Sequence, residues 1–231
     1  MNALKNLILL IETATSSCSV ALAENRLILA KKELNKQNIH ASHITLFIDQ
    51  IMHQTSKDYT DLNAIAVSQG PGSYTGLRIG VATAKGLCFA LDIPLIAINT
   101  LKAMTTGLLQ KMSITNDKTL FCPMIDARRM EVYTALFNQN LLEIEQTQAK
   151  ILDETSFNNY LSKHPIIFFG DGAEKCKTLY AHKPNALFVD FENSASHLNI
   201  LADHQFKTGA IEDLAYFEPY YLKDFIPNKL L

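Results

Sequence analysis

The order of strand-like and helix-like runs repeats once along the chain, and this duplication restricts the fold more than any other feature. The first half opens with LILLIET, an apolar run suited to a central strand, followed after a turn-prone ATSS by CSVALAE and then RLILAKKEL. Short turns between these runs predict a three-strand meander. A helix follows from about Ala41, then LNAIAVSQGPGSYTGL reads as a strand, a glycine turn and a second helix. PLIAINT and LKAMTTGLLQKM add one more strand and one more helix. In the second half FCPMIDA, RMEVYTALF and LLEIEQTQAKIL again read as three strands. DETSFNNYLSK carries the start signals of a helix, and PIIFFGDGAEKCKTLY is another strand, glycine turn and helix.

A strand meander followed by helix, strand and helix, used twice, resembles the α/β plan of the actin-like and sugar-kinase (ribonuclease H-like) folds. The expected division is a first subdomain over 1–110 and a second over 111–231. The second is expected to be reduced. After Gly170-Asp171-Gly172 the sequence predicts only two helices and a Pro/Tyr-rich tail, little chain with which to enclose an adenosine.

Charge limits the function classes. Among 231 residues, 21 basic side chains face 23 acidic ones, so no excess is available to track a phosphate backbone unaided. Lys31, Lys32 and Lys36 read as a solvated edge. The four cysteines, Cys18, Cys88, Cys122 and Cys176, lie apart in apolar runs and predict buried free thiols. The early apolar run Leu7 to Ile11 ends at Glu12, too short for a signal-peptide core or a bilayer span, which leads to the expectation of a cytoplasmic chain without a membrane partner.

The stretch Gly70-Pro71-Gly72-Ser73-Tyr74-Thr75-Gly76-Leu77-Arg78 carries the densest signal. Ser73 or Thr75 can cap a helix beginning near Gly76, and free amides there, with Arg78 one turn in, suit an anion. No lysine follows at phosphate-loop spacing. A turn that needs glycine only for close packing is the alternative, and both stay open. Asp126, Arg128, Arg129 and Glu131 read as a hairpin ion-pair set, with a role toward a phosphate or RNA as the other reading.

GPGSYTGLRIGVATAKGLCFALDIP closely resembles the signature of the TsaB family, which serves threonylcarbamoyladenosine formation on tRNA. ILLIETATSSCSVAL is similar to that family's first hairpin, with Glu12 where aspartate is common, and His43 resembles a histidine that begins the family's next helix. ARRMEVYTALF and FFGDGAEK fit later segments. FEPYYLKDF is similar to the family's ending, with Lys223 in place of an arginine. The resemblance implies a non-catalytic scaffold that binds the larger catalytic relative TsaD, works in an assembly with the ATPase TsaE, pairs with itself when alone, and meets tRNA only through the complex. It also implies that TsaD's metal-binding histidine pair corresponds here to Thr100 and Met104, neither of which replaces an imidazole. His40 and His43 lack a third ligand nearby. No tightly bound cofactor or metal is expected, and ATP only weakly or within the assembly. A small ATP-dependent kinase or ATPase is the alternative, and a metallopeptidase the third.

The helix from about Gly76 to Leu91 supports the scaffold reading on its own pattern. At roughly 100° per residue, Leu77, Val81, Ala84, Cys88 and Leu91 make a core stripe, while Ile79, Ala82, Gly86, Phe89 and Ala90 make a second apolar stripe opposite. A helix apolar on both sides is expected to be covered on both, by a partner or by its own chain. On the preceding helix Leu46, Gln50 and His53 fall on the outer side, so partner contact is assigned to Leu46, Gln50, His53, Ile79, Ala82, Gly86 and Phe89.

Overall fold

The computed structural model describes residues 6–36 and 38–223; Asp224 and Phe225 of the tail motif lie outside them. Two five-stranded sheets form, built alike. The first has β1 (Leu7–Glu12), β2 (Ser17–Glu24), β3 (Leu27–Asn35), β4 (Ala64–Gly70) and β5 (Leu95–Asn99) in the order β3-β2-β1-β4-β5. The second has β6 (Leu120–Asp126), β7 (Glu131–Phe137), β8 (Glu143–Ile151), β9 (Ile166–Phe169) and β10 (Ala186–Val189), in the equivalent order β8-β7-β6-β9-β10. In each sheet the first three strands run antiparallel and the last two join in parallel. This is the duplicated actin-like architecture expected from the element order.

Burial explains the strand order. Every residue of β1 is buried, because the strand is central and covered on both faces. Strand β3, at the edge, is largely exposed and carries Lys31 and Lys32, the usual way of blunting an unpaired ladder. Helices α1 (His40–Thr55) and α2 (Tyr74–Leu91) follow β3 and β4, and α3 (Thr100–Lys111) follows β5. One side of the first sheet packs Leu9, Ile11, Val20 and Val67 against Ile44, Ile48, Ile51, Val81 and Cys88 of α1 and α2. All four cysteines are buried and free.

The second half is reduced in its helices, while its sheet is complete. Helix α4 is a single turn, Asn158–Leu161, where a full helix over the DETSFNNYLSK run was expected. Helix α5 covers only Ala173–Tyr180. Asn158 and Asn159 are weak helix formers, and the Asp153 carboxylate bonds Thr155 and Ser156 locally, holding the chain in turns. Strand β10 stands in a region expected to hold only helices and tail.

After β10 the chain returns to the first half. A 3-10 turn at Ala195–Leu198 leads into α6 (Asn199–Thr208). The Ala195 N–H donates to Ser19 Oγ at 2.9 Å, and buried Asp203 pairs with Arg26 at 2.5 Å and Lys207 at 2.8 Å. His197 sits in this seam, 2% exposed, against Gly107 and the Phe191 ring, with no hydrogen-bond partner on either nitrogen among the described residues. Burial pushes its imidazole down to about 4, with Lys111 and Lys31 adding to the shift and Glu33 opposing it. An unfolded histidine titrates near 6.5, so between those values only the unfolded chain binds the proton, and stability falls as pH drops from 6.5 toward 4. His197→Phe should remove a loss on the order of 3 kcal/mol from that window, seen as a melting temperature that no longer falls so steeply across it.

Candidate functional site

Two places collect the residues singled out by the sequence: the cleft between the sheets, with its glycine turns, and the outward face of α1 and α2.

At the first glycine turn the glycines face protein. A Cβ at Gly72 would press on Ala14, at Gly76 on the Thr13 carbonyl, and at Gly80 on the Thr13 side chain. The α2 helix therefore lies directly on the β1–β2 turn, and the Ser73 N–H donates to Ala14 O at 2.7 Å. Gly70 has φ of +116° and lies under the Tyr220 carbonyl, which a Cβ would meet at 2.5 Å. Ser73 caps the helix by accepting from Gly76 N at 3.2 Å, and the helix starts at Tyr74, two residues earlier than expected. Pro71 is buried beneath this turn, while Thr75 is exposed. Arg78 turns outward: its guanidinium lies 4.3 Å from the Tyr74 ring centroid, and its Nε donates to Tyr221 Oη at 3.3 Å.

The cleft itself is nearly shut. Its cavity is about 40 Å³, lined by Thr15, Ser17, Asn35, Met104, Asp171 and Asn193 among others. That is room for about one water molecule, against several hundred Å³ for a typical ligand pocket. Thr100 Oγ1 accepts from Gly70 N at 3.2 Å, and the Met104 methyl packs against Gly170. An engaged hydroxyl and a packed thioether do not fit a metal in the place of a histidine pair. His40 is buried, and its Nε2 has no hydrogen-bond partner among the described residues; His43 bonds Ser42 Oγ at 2.8 Å. Helix α1 begins at His40, three residues before His43. Among the described residues no group of three His, Cys, Asp or Glu side chains is arranged to hold a metal ion.

The outward face is different in kind. Ala82, Gly86 and Ala90 are exposed, and Phe89 is 82% exposed. Leu46, 48% exposed, lies on the same side of α1 as exposed Gln50 and His53. Ile79 is the exception, half-buried and packed on the core. Of the two ways in which α2 was expected to be covered on both sides, cover by its own chain is met only in part: among the described residues its second stripe is covered along one flank alone. That flank is met by the segment after α6, whose FEPYYLKDF run the sequence offered as similar to the family's ending and not as cover for α2. The Glu212 N–H donates to Leu95 O at 2.9 Å, Lys85 Nζ donates to Phe217 O at 2.9 Å, and the Tyr220 N–H donates to Gln69 O at 2.7 Å. Between this strap and α2 runs a groove of about 720 Å³ lined by Lys85, Gly86, Phe89, Asp213, Leu214 and Ala215.

With this geometry in hand, comparison with known proteins is decisive for the family. Residues 28–230 match the family model described as TsaD: tRNA N6-adenosine threonylcarbamoyltransferase. Over 166 residues the chain is 32% identical to the tRNA threonylcarbamoyladenosine biosynthesis protein TsaB of Bacillus subtilis, covering 71% of this chain and 70% of that protein. The chain belongs to the TsaB family. The TsaB of Escherichia coli is 37% identical over 150 residues, which cover 64% of this chain and 63% of that protein, a little under two thirds of its length. YeaZ from Pseudomonas aeruginosa shares the fold, with a TM-score of 0.77 at 22% identity, covering 94% of this chain and all of that one. The apolar outer stripe is thus carried on a TsaB-family chain.

Glu12 was noted in the sequence only as a replacement for aspartate, yet it is fully buried at the end of β1. Its Oε1 accepts from Ala14 N at 2.5 Å, while Oε2 has no partner among the described residues. Burial raises its carboxyl to about 7, against smaller opposing contributions from the Ala14 N–H, Ser68, Asn193 and the Thr13 N–H. Its unfolded value is 4.5, so the stability it contributes is present below 4.5 and lost as pH rises through 7. Glu12→Gln should remove a penalty on the order of 3 kcal/mol at pH 8 and flatten the stability profile between those values. Chemical denaturation across that range checks it.

Proposed function

We propose that this chain is a non-catalytic subunit of the assembly that forms threonylcarbamoyladenosine on tRNA. It binds and supports the catalytic TsaD through the outer face of α1 and α2, in an assembly completed by TsaE. The observation that carries the reading is the α2 stripe: beyond the first turn, where Thr75 and Arg78 face out, the exposed positions are Ala82, Gly86, Phe89 and Ala90, all apolar or glycine. Small side chains along a helix let a second helix approach closely, and Phe89 supplies an aromatic anchor of the kind that dominates interface energies. A face of this composition is poorly suited to water and well suited to a partner.

The reading of the chain as non-catalytic draws support from the cleft. Its small cavity and the Thr100 and Met104 side chains leave neither a nucleotide-sized space nor a metal donor set in this conformation. Nucleotide chemistry and the transfer step are therefore assigned to the partners, with ATP bound here weakly or only within the assembly. Alone, the same apolar face is expected to pair with a second copy of the chain.

Gly86→Arg tests the face directly. A Cβ at Gly86 meets nothing within 4 Å, so the fold has room for the new side chain, and replacing a helix-interior glycine favours the helix by up to about 1 kcal/mol. An arginine there would leave an unpaired charge in a closed contact, costing several kcal/mol of association. Light scattering with a thermal melt should show a folded monomer that binds neither itself nor TsaD. A folded variant that still associates contradicts the assignment.

A further inference from the structure

The turn between β6 and β7 holds a feature that the scaffold role does not use. Arg128 and Arg129 both adopt left-handed backbone, with φ of 69° and 49°. This region disfavours residues that carry a Cβ, and glycine or asparagine normally fills such positions. The turn is nonetheless firmly built. Arg128 N–H donates to Asp126 Oδ1 at 2.6 Å, Asp126 N–H to Asp171 Oδ1 at 3.0 Å, and Glu131 N–H to Arg128 O at 3.2 Å.

The ion pairs of this turn are not the ones the sequence suggested. Asp126 pairs with Lys175 at 2.9 Å, and Glu131 pairs with Lys223. Neither arginine takes part: both are exposed, and neither guanidinium makes a hydrogen bond or ion pair among the described residues. The lysines thus pair with Asp126 and Glu131 and leave the two guanidinium groups without an ion pair among the described residues, on adjacent residues of a braced turn beside the cleft lined by Gly170 and Asp171. Adjacent arginines kept at a conformational cost, with no ion pair in the turn, suit a ligand rather than the fold.

We propose that Arg128 and Arg129 form a phosphate-binding turn that grips the backbone of the RNA bound by the assembly. The planar guanidinium fork matches phosphate oxygens, and such contacts position a nucleic acid without reading its sequence. Two contacts of this kind are compatible with the slightly acidic overall charge of the chain, formally -2, which does not favour RNA binding alone but allows a local addition to a partner's grip. The proposal rests on the reading that the chain acts on tRNA within an assembly.

The test compares wild type with Arg128→Asn/Arg129→Asn, each purified with TsaD, using unmodified tRNA transcript as the probe. Asparagine tolerates left-handed backbone, so the variant's melting temperature should be unchanged or higher. Assembly by light scattering should be intact. The log–log dependence of tRNA affinity on salt should lose about one to two from its slope, since each phosphate contact contributes about one, and millimolar inorganic phosphate should not mimic the loss in wild type. An unchanged salt slope in an intact assembly overturns this proposal alone. Loss of assembly would assign the arginines to an acidic protein surface and overturn it as well. Displacement of tRNA by low phosphate would assign the turn to a free anion and also overturn it. A wild-type chain that neither joins TsaD nor contributes to tRNA binding overturns both this and the scaffold reading.

Discussion

The contact on which the rest of the structure depends is the direct seating of α2 on the β1–β2 turn. Gly72, Gly76 and Gly80 recur at four-residue spacing, so they present one side of the helix start to Thr13 and Ala14. With no Cβ between them, helix and turn meet at backbone distance. This fixes the direction in which α2 leaves β4, brings Leu77, Val81, Ala84 and Cys88 onto the first sheet, and turns Ala82, Gly86 and Phe89 away from it. The inward glycines and the outward apolar stripe are two consequences of one orientation. The same close packing fills the place where an open glycine turn would offer its amides to an anion.

The strap completes that arrangement. It lies along the edge of β5, takes Lys85 as a donor to its carbonyls, and crosses the first glycine turn where Gly70 has no side chain to obstruct it. Helix α6 and the seam around His197 hold the returning chain to the first sheet. The two halves are therefore joined by α3 on one side and by the returning segment on the other, consistent with a cleft that retains only about 40 Å³.

Much of this could be read from the sequence, for physical reasons that differ by element. The repeated element order was legible because β1, β4 and β6 are apolar runs bounded by turn residues. The outward α2 stripe was legible because helical periodicity separates its positions from the core stripe without any knowledge of neighbours. Strand β10 was not, since Ala186–Val189 is a four-residue edge strand following Lys-Pro-Asn, too short to show alternation. Helix α4 was overestimated because its capping residues form turns in place of a helix. The strap was hidden because its contacts run largely through backbone carbonyls and amides far apart in sequence. The left-handed arginines were named as charged residues, but their conformation and their exclusion from the local ion pairs required the folded turn.

The central claim is that the face formed by α1 and α2 is where this TsaB-family chain meets its catalytic partner. Deuterium exchange of the chain alone and in the presence of excess TsaD examines it most directly. The account predicts slower exchange on binding within residues 40–55 and 74–91, together with the strap bordering the groove, and little change in β8 or α5 on the far half of the molecule. Protection centred on β8 or α5, with α1 and α2 exchanging as in the free chain, would contradict it.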